Sequence, residues 1–248
     1  MVYAHEIGHV LGLHHSGSLR TGVYSKSYSE YRADDIMGNT WEVEAHSSTD
    51  AEAGDFNIVS RFQLGWIPTT QLAHYPEQGS VTIRGLREPL TDTYYAGVTI
   101  PCSFCKPLHQ DLDNHYGGQL FLSYRTIDTQ NYAGIQDMFG QSTLLRYRVH
   151  VHFYVGRHHE ETSCSPHSTN DNDGRRNEFW MALMDGRTFT VPGSNSAYGL
   201  YIHVCNTVCR ESTCPSSIRD TASSLDHASV GISSVSVAEA VSRCTSLL

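Results

Sequence analysis

One eleven-residue segment constrains this chain more than any other feature. Residues 5–15 read His-Glu-Ile-Gly-His-Val-Leu-Gly-Leu-His-His and match H-E-x-x-H-x-x-G-x-x-H. In a helix, His5 and His9 lie four residues apart, so both imidazoles project from one face toward one point. Gly12 lets the chain leave the helix in a conformation that other residues resist, which brings His15 back to that point. Three imidazoles with one open position are typical of catalytic zinc, whereas a structural zinc is closed by four ligands.

The motif therefore predicts Zn²⁺ as the cofactor, with His5, His9 and His15 as its ligands. Glu6 lies beside the point where the imidazoles meet, so its carboxylate is the predicted catalytic group and acts as a general base on water. His14 is not expected to be a ligand, because the spacing selects His15. The alternative interpretation is a histidine-rich helix that arose by chance.

A methionine follows the motif at Met37, within Ala-Asp-Asp-Ile-Met-Gly-Asn-Thr (33–40). This segment resembles the Met-turn of the metzincin clan of metallopeptidases, in which a methionine forms an apolar floor beneath three imidazoles. Some metzincins have a tyrosine two residues later; Asn39 occupies that position, so we assign it no role. Asp34 and Asp35 either orient a ligand imidazole or are solvated turn residues. The alternative interpretation of Met37 is a buried core methionine.

A more specific resemblance lies in Asp-Phe-Asn-Ile-Val-Ser-Arg-Phe-Gln-Leu-Gly-Trp (55–66). It is similar to the segment after the Met-turn in gametolysin-like peptidases, the cell-wall lytic enzymes of volvocine algae. Residues 121–125 and 145–154 resemble that family's C-terminal region, and the likeness extends from residue 1 to about 210. It implies a secreted zinc endopeptidase that hydrolyses peptide bonds in extracellular-matrix or cell-wall proteins. The implied partners are protein or glycoprotein substrates.

The start of the chain departs from that family. Met1 stands four residues before His5, whereas metzincins place a twisted sheet ahead of this helix. The resemblance therefore implies a fragment that lacks the N-terminal half of the catalytic domain, and with it a signal peptide. Without that sheet, we expect an unpacked apolar helix face formed by Val2, Ile7, Val10, Leu11 and Leu13.

Composition narrows the classes of partner. The formal net charge is −9, which argues against nucleic-acid binding, since phosphates require a basic surface. The chain contains no apolar run near 18 residues, so no membrane insertion by a helix is expected. The oligomeric state stays open.

Seven cysteines all follow residue 100, at positions 102, 105, 164, 205, 209, 214 and 244. Cys102 and Cys105 form a C-x-x-C pair, but no second pair completes a four-thiolate zinc site. We therefore expect disulfides of an extracellular domain, with undetermined connectivity and one cysteine left free or paired elsewhere. His150 and His152 would share one face of a strand, where they either bind a metal or are surface or hydrogen-bonded strand histidines.

Periodicity predicts an α+β fold with two parts. Residues 1–66 form a partial metzincin-like catalytic domain with a helix at 1–13, loop-rich chain at 14–54 and a short helix near 51–64. Residues 67–248 form an antiparallel β-sandwich-like domain. Its predicted strands are 80–84, 94–100, 118–126, 145–155, 178–184, 187–191 and 199–205. Asp185-Gly186 predicts a hairpin, residues 211–235 are Ser-rich and expected to be mobile, and 236–247 favour a short helix.

Three classes of function are compatible with these features. The first is an active secreted zinc metalloendopeptidase, complete or as part of a longer enzyme. The second is a catalytically dead fragment whose β-rich domain binds a glycoprotein or another partner. The third is a different zinc hydrolase that acts on small esters or amides. Cleavage specificity and regulation by a pro-segment are not encoded in any motif of the sequence.

Overall fold

Short strands, rather than helices, form most of this fold. The computed structural model describes residues 2–13, 16–20, 28–29, 36–37, 56–77, 79–106, 117–126, 135–136, 146–154, 177–194, 199–210 and 214–247. The helices in these ranges are α1 (Val2–Val10), α2 (Ile58–Gln63) and α3 (Val237–Ser242), with 3-10 turns at Thr69–Gln71 and Arg243–Leu247.

Twelve strands lie in the same ranges. They are β1 (Ser16–Arg20), β2 (Tyr28–Ser29), β3 (Leu72–His74), β4 (Ser80–Arg84), β5 (Gly97–Cys102), β6 (Gly118–Arg125), β7 (Ile135–Gln136), β8 (Arg148–Tyr154), β9 (Asn177–Leu183), β10 (Thr188–Thr190), β11 (Tyr201–Val208) and β12 (His227–Ser233).

The strands are arranged in two sheets. The larger sheet has the order β2-β1-β9-β8-β6-β5-β3, with β7 paired to β1. Its central strands β5, β6, β8 and β9 are antiparallel, whereas β1 with β9 and β3 with β5 are parallel pairs. The smaller sheet, β10-β11-β12-β4, is antiparallel throughout.

The two sheets share one hydrophobic core. Side chains alternate across a strand, so β8 turns Val149, Val151 and Phe153 toward the smaller sheet. Valine and isoleucine side chains of β4, β11 and β12 complete the same cluster, and Trp180 stacks on Phe153 with ring centroids 4.6 Å apart. This arrangement confirms the predicted α+β class with a largely antiparallel, two-sheet β-rich part.

The opposite face of the larger sheet carries α2. Asn57 begins this helix, because its side chain accepts a hydrogen bond from the Ser60 amide. Ile58 and Phe62 then pack onto β6 and β8, where Phe62 lies 5.3 Å from Phe121 between ring centroids. The predicted helix near 51–64 is therefore present as a shorter element.

Strand pairing crosses the predicted division at residues 66 and 67. β1 lies in the N-terminal part, yet it pairs with β9 through Ser16↔Asn177 and Gly17↔Glu178. The N-terminal segment thus extends the larger sheet. The division into a catalytic part and a β-rich part stays a prediction.

Two predicted elements are wrong. Residues 211–235 contain the buried strand β12, because Ala228, Val230 and Ile232 alternate with small polar residues that obscure the pattern. Asp185-Gly186 does form a turn, with Gly186 at φ +69°. It nevertheless connects β9 of the larger sheet to β10 of the smaller one, so it is not a hairpin. The residues of a turn determine that the chain reverses direction, but they do not determine which sheet the next strand joins. The predicted C-terminal helix is confirmed as α3, which Ser236 caps.

Disulfides link six of the seven cysteines. The pairs are Cys102–Cys105, Cys205–Cys244 and Cys209–Cys214, while Cys164 lies outside the described residues. The disulfide prediction is confirmed for these six. Such bonds are typical of proteins that fold in an oxidising compartment. Within the described ranges, no helix is long and apolar enough to span a bilayer.

Candidate metal centre

The C-terminus of α1 has the geometry that the motif requires. Gly12 adopts a left-handed conformation with φ +89°, which costs glycine little. The Gly12 amide donates to the His9 carbonyl at 2.9 Å, and the Leu13 amide donates to the Gly8 carbonyl at 2.9 Å. These two bonds form a Schellman motif, which ends the helix and redirects the chain. Gly12 therefore ends the helix in a left-handed conformation, as predicted, while its predicted effect on His15 falls outside the described residues.

His5 and His9 converge as their spacing predicts. Their Nε2 atoms lie 3.0 Å apart, and their rings meet edge to face with centroids 4.7 Å apart. Each Nδ1 points the other way, toward a backbone carbonyl: Ile36 at 2.7 Å from His5, and Leu13 at 2.9 Å from His9. Both imidazoles are therefore oriented by backbone from two different segments.

These hydrogen bonds define the tautomers of the two rings. A carbonyl oxygen only accepts, so each Nδ1 must carry its proton, and in a neutral ring each Nε2 then bears a lone pair. Two lone pairs directed at each other across 3.0 Å repel, unless a cation bonds to both. Zinc binds imidazole nitrogen at about 2.0–2.1 Å, so one ion can reach both Nε2 atoms. The pair fits zinc, and carbonyl partners on Nδ1 are the usual support for metal-binding histidines.

The rest of the predicted ligand set is only partly visible. His15 and His14 lie outside the described residues. Glu6 is exposed on α1, directly after His5. Among the residues that the structure describes, no group of three or more His, Cys, Asp or Glu side chains is placed to hold a metal ion. The structure thus brings together two of the three predicted ligands, and the third is not located.

Met37 lies against α1 at Gly8, which stands between the two histidines in the sequence. It is fully buried, in a cluster with Leu13 and Phe56. A Cβ added at Gly8 would lie 3.1 Å from Met37 Cε and closer still to Sδ, so the thioether occupies the space that a side chain at Gly8 would fill. The Met37 carbonyl accepts a hydrogen bond from the Ser16 amide at 3.0 Å. The methionine therefore contacts the helix and anchors the chain that follows residue 15.

Gly8 is the site residue that sequence reasoning missed. A glycine inside a helix costs about 1 kcal/mol relative to alanine, so an isolated one signals a packing requirement. Here the requirement is the close approach of Met37. The sequence therefore indicates that Gly8 has a packing requirement, but it does not indicate that Met37 is the residue that contacts it.

The apolar face of α1 is largely exposed. Tyr3 and Val10 are 86% and 85% exposed, and Ile7 and Leu11 are also accessible. Of the predicted face, Ile7, Val10 and Leu11 are exposed, whereas the side chain of Val2 lies outside the described residues and Leu13 is an exception. Leu13 is buried against Met37, because the turn at Gly12 directs it under the helix.

His150 and His152 are both completely buried on β8. His152 donates from Nδ1 to the Asn177 carboxamide oxygen at 3.2 Å, and both rings contact Phe179 edge to face. The alternative of a surface location is therefore wrong. Their neighbours in the described part of the chain do not form a metal-ligand group. Asp34, Asp35 and Asn39 lie outside the described residues.

Comparison of the chain with protein-family models, curated proteins and solved structures finds no match. A functional assignment therefore depends on the motif and on the geometry of the described residues.

Proposed function

We propose that this chain carries the active site of a zinc-dependent endopeptidase of the metzincin type, similar to the gametolysin family. The observation that supports this most directly is the convergence of the His5 and His9 Nε2 atoms at 3.0 Å. The burial of Met37 against the helix between them adds support, because it is the contact expected of a Met-turn methionine.

His5, His9 and His15 would hold the metal, and a zinc ion there supplies Lewis acidity that polarises a carbonyl group and acidifies water. The Ile36 and Leu13 carbonyls keep the imidazoles of His5 and His9 in the tautomer that presents Nε2. These contacts fix the orientation of both rings before substrate binds, which lowers the entropic cost of assembling the site.

Glu6 carries out the proton transfers. Its exposed carboxylate follows His5 on the helix and is accessible to water and substrate. It takes a proton from the attacking water and delivers a proton to the amine that leaves when the peptide bond breaks. The C–N bond is cleaved, the water oxygen remains on the acyl carbon, and no oxidant or reductant is required.

The proposed substrates are extracellular-matrix or cell-wall proteins and glycoproteins, as the family resemblance implies. Three disulfides support folding in an oxidising compartment, and therefore secretion. The net charge of −9 disfavours nucleic acid as a partner.

The test combines zinc content with cleavage of a generic unfolded protein substrate. We expect about one zinc per chain and cleavage that a chelator abolishes and added zinc restores. Glu6→Gln should retain zinc and lose cleavage by at least about 100-fold, since a positioned general base contributes 10²–10⁴-fold. His5→Ala and His9→Ala should lose the metal. His74→Ala is the matched control, because His74 is an exposed histidine on β3.

A second candidate function is supported by the exposed face of α1. Tyr3, Ile7, Val10 and Leu11 form an apolar surface that favours contact with another protein. Binding to cell-wall material without any chelator-sensitive cleavage would support a non-catalytic binding module. Turnover of small esters or amides without proteolysis would instead indicate a different zinc hydrolase. Cleavage by Glu6→Gln at saturating zinc would contradict the assigned catalytic role.

A further inference from the structure

The two residues that orient the predicted zinc ligands pack in one apolar cluster. The Ile36 carbonyl accepts a hydrogen bond from His5, and the Leu13 carbonyl accepts one from His9. The buried members of the cluster are Leu13, Met37 and Phe56, and Ile36 packs against them. A movement of this cluster would therefore move both carbonyls that orient the imidazoles.

Phe56 is the member of the cluster that lies next to α2. Its ring lies edge to face with the ring of Trp66, with centroids 5.3 Å apart. Its carbonyl accepts a hydrogen bond from Arg61 Nε at 2.9 Å. The Trp66 amide in turn donates to the Arg61 carbonyl at 2.9 Å. Phe56 is therefore held at its backbone by Arg61 and at its ring by Trp66.

Arg61 also connects Phe56 to the larger sheet. Its Nη1 donates to the Leu86 carbonyl at 2.8 Å, and the Leu86 amide donates to the Tyr124 carbonyl of β6 at 2.8 Å. A guanidinium carries its N–H donors in a rigid planar fork, so one side chain can hold two carbonyls at a fixed spacing. Arg61 thus joins the backbone at Phe56 to a segment that is bonded to the sheet.

The charge of Arg61 makes this position unfavourable without the carbonyl contacts. Burial lowers the pKa of Arg84, and the nearby positive charge of Arg61 lowers it further, while Glu88 acts in the opposite direction. Arg61 and Arg84 therefore repel each other. Hydrogen bonds from a charged donor are among the strongest in proteins, so the contacts with the Phe56 and Leu86 carbonyls offset this repulsion.

We propose that Arg61 is a positioning residue for the candidate metal centre. It holds Phe56 in place, and Phe56 in turn supports the apolar cluster. The carbonyls carried by that cluster then keep both imidazoles in the tautomer that presents Nε2 to a metal. The inference rests on the proposed zinc site, and it gives a role to residues 55–66, which carry the family resemblance but contribute no ligand.

The first measurement uses the metal-free full chain, so it does not depend on zinc binding. Nitrogen NMR shifts of an imidazole report which ring nitrogen carries the proton. In the wild type, Nδ1 of His5 and of His9 should be protonated, because each donates to a carbonyl. In Arg61→Ala the carbonyls are displaced, so both rings should exchange between the two neutral tautomers and their nitrogen shifts should move.

The second measurement is zinc affinity, by competition with a chromophoric chelator. Removing a residue that supports a metal ligand costs about 10–100-fold in affinity. Arg61 acts one contact further away, so Arg61→Ala should weaken zinc binding by about 10-fold. Arg61→Lys keeps the charge but not the planar fork and should show a similar loss. In a Phe56→Ala background, Arg61→Ala should cause less than about a twofold further loss, because both changes act through the same cluster.

Arg219→Ala is the matched control. Arg219 Nε also donates to a backbone carbonyl, that of Cys214, at 3.1 Å. Cys214 belongs to a separate apolar cluster with Tyr147 and Cys209. Arg219→Ala should therefore keep the wild-type tautomers and change zinc affinity by less than about twofold. Cooperative thermal unfolding checks that each variant is folded, and Arg61→Lys is the smaller change should Arg61→Ala not fold.

The other outcomes each overturn a definite statement. Wild-type tautomers or wild-type zinc affinity in Arg61→Ala would refute the positioning role and leave the proposed function intact. Full recovery in Arg61→Lys would show that charge alone suffices and would refute the two-carbonyl contact. An equal change in Arg219→Ala would indicate a general loss of stability and also refute the positioning role. A wild-type chain that binds no zinc, with the expected tautomer change in Arg61→Ala, would refute the proposed function but support the role of Arg61 in orienting the imidazoles.

Discussion

Replacing Gly8 by alanine should disturb the candidate metal centre through the contact between Gly8 and Met37. The new methyl group would lie 3.1 Å from Met37 Cε and closer to Sδ, whereas carbon atoms pack best at about 3.5–4.0 Å. Met37 is fully buried in a cluster with Leu13 and Phe56, so these side chains restrict the movement of its thioether. Because Ile36 precedes Met37, any shift also moves the carbonyl that orients His5.

Two opposing contributions determine how much Gly8→Ala changes the free energy of unfolding. Alanine gains about 1 kcal/mol over glycine inside a helix, and overpacking a filled core costs about 1–3 kcal/mol. Gly8→Ala should therefore lower the free energy of unfolding by roughly 0–2 kcal/mol. Met37→Ala alone should cost about 2–5 kcal/mol, because it leaves a cavity. In the Met37→Ala background the overlap is absent, so Gly8→Ala should stabilise by about 1 kcal/mol.

The assay is urea unfolding of the wild type, both single variants and the double variant, with zinc affinity measured on each. The coupling free energy between the two positions should be about 1–3 kcal/mol, as for residues in direct contact. Gly8→Ala should also weaken zinc binding. If Gly8→Ala instead stabilises the wild type by about 1 kcal/mol and the two changes are additive, Met37 does not occupy the space beside Gly8.

Three further predictions concern other contacts. Gly12→Ala should lower the free energy of unfolding by about 1–2 kcal/mol, because φ is +89°, and it should also weaken zinc binding. Gly186→Ala is the control: its φ is +69°, so it should lose stability in the same urea assay without a change in zinc binding. Removing the Cys205–Cys244 disulfide by substituting both cysteines with serine should lower the free energy of unfolding by about 4 kcal/mol, since the bond closes a loop of 39 residues. A much smaller change in urea unfolding would refute the stabilising role of this bond. Burial lowers the pKa of His203 below its usual 6.5, so the unfolded chain binds its proton more readily. Stability from this residue should be complete above about pH 6.5 and fall as the pH drops through the lower folded-state pKa. His203→Gln should flatten that part of the stability profile, and an unchanged profile would refute the assignment.

Local periodicity predicted the elements whose burial follows from their own sequence. Residues 80–84 form β4 as expected, since Val81 and Ile83 alternate with polar neighbours. β12 was missed because serine and glycine fill the positions between its apolar side chains, and composition alone resembles a loop. Helix α2 is shorter than predicted because Asn57 caps it late in the apolar run.

In the candidate site, too, the sequence predicts the local features but not the contacts between distant segments. Spacing alone predicted the convergence of His5 and His9, and the turn at Gly12. The contacts with the Ile36 carbonyl and with Met37 join segments about 30 residues apart. The approach of Asn177 to Ser16 depends on which strand lies beside β1. No local pattern encodes such pairings, because they result from the assembly of the whole sheet.

The parallel pairing of β1 with β9 has a consequence for biosynthesis. Ser16 is translated about 160 residues before Asn177, and a ribosome adds about 5–20 residues per second. The motif helix therefore emerges many seconds before the strand on which the next segment lies. Closing such a distant contact is slow compared with forming the antiparallel pairs β5-β6, β6-β8 and β8-β9 of the same sheet. The N-terminal segment should accordingly join the larger sheet after its central strands have paired, so that a zinc site built on this segment would mature only after that sheet has assembled.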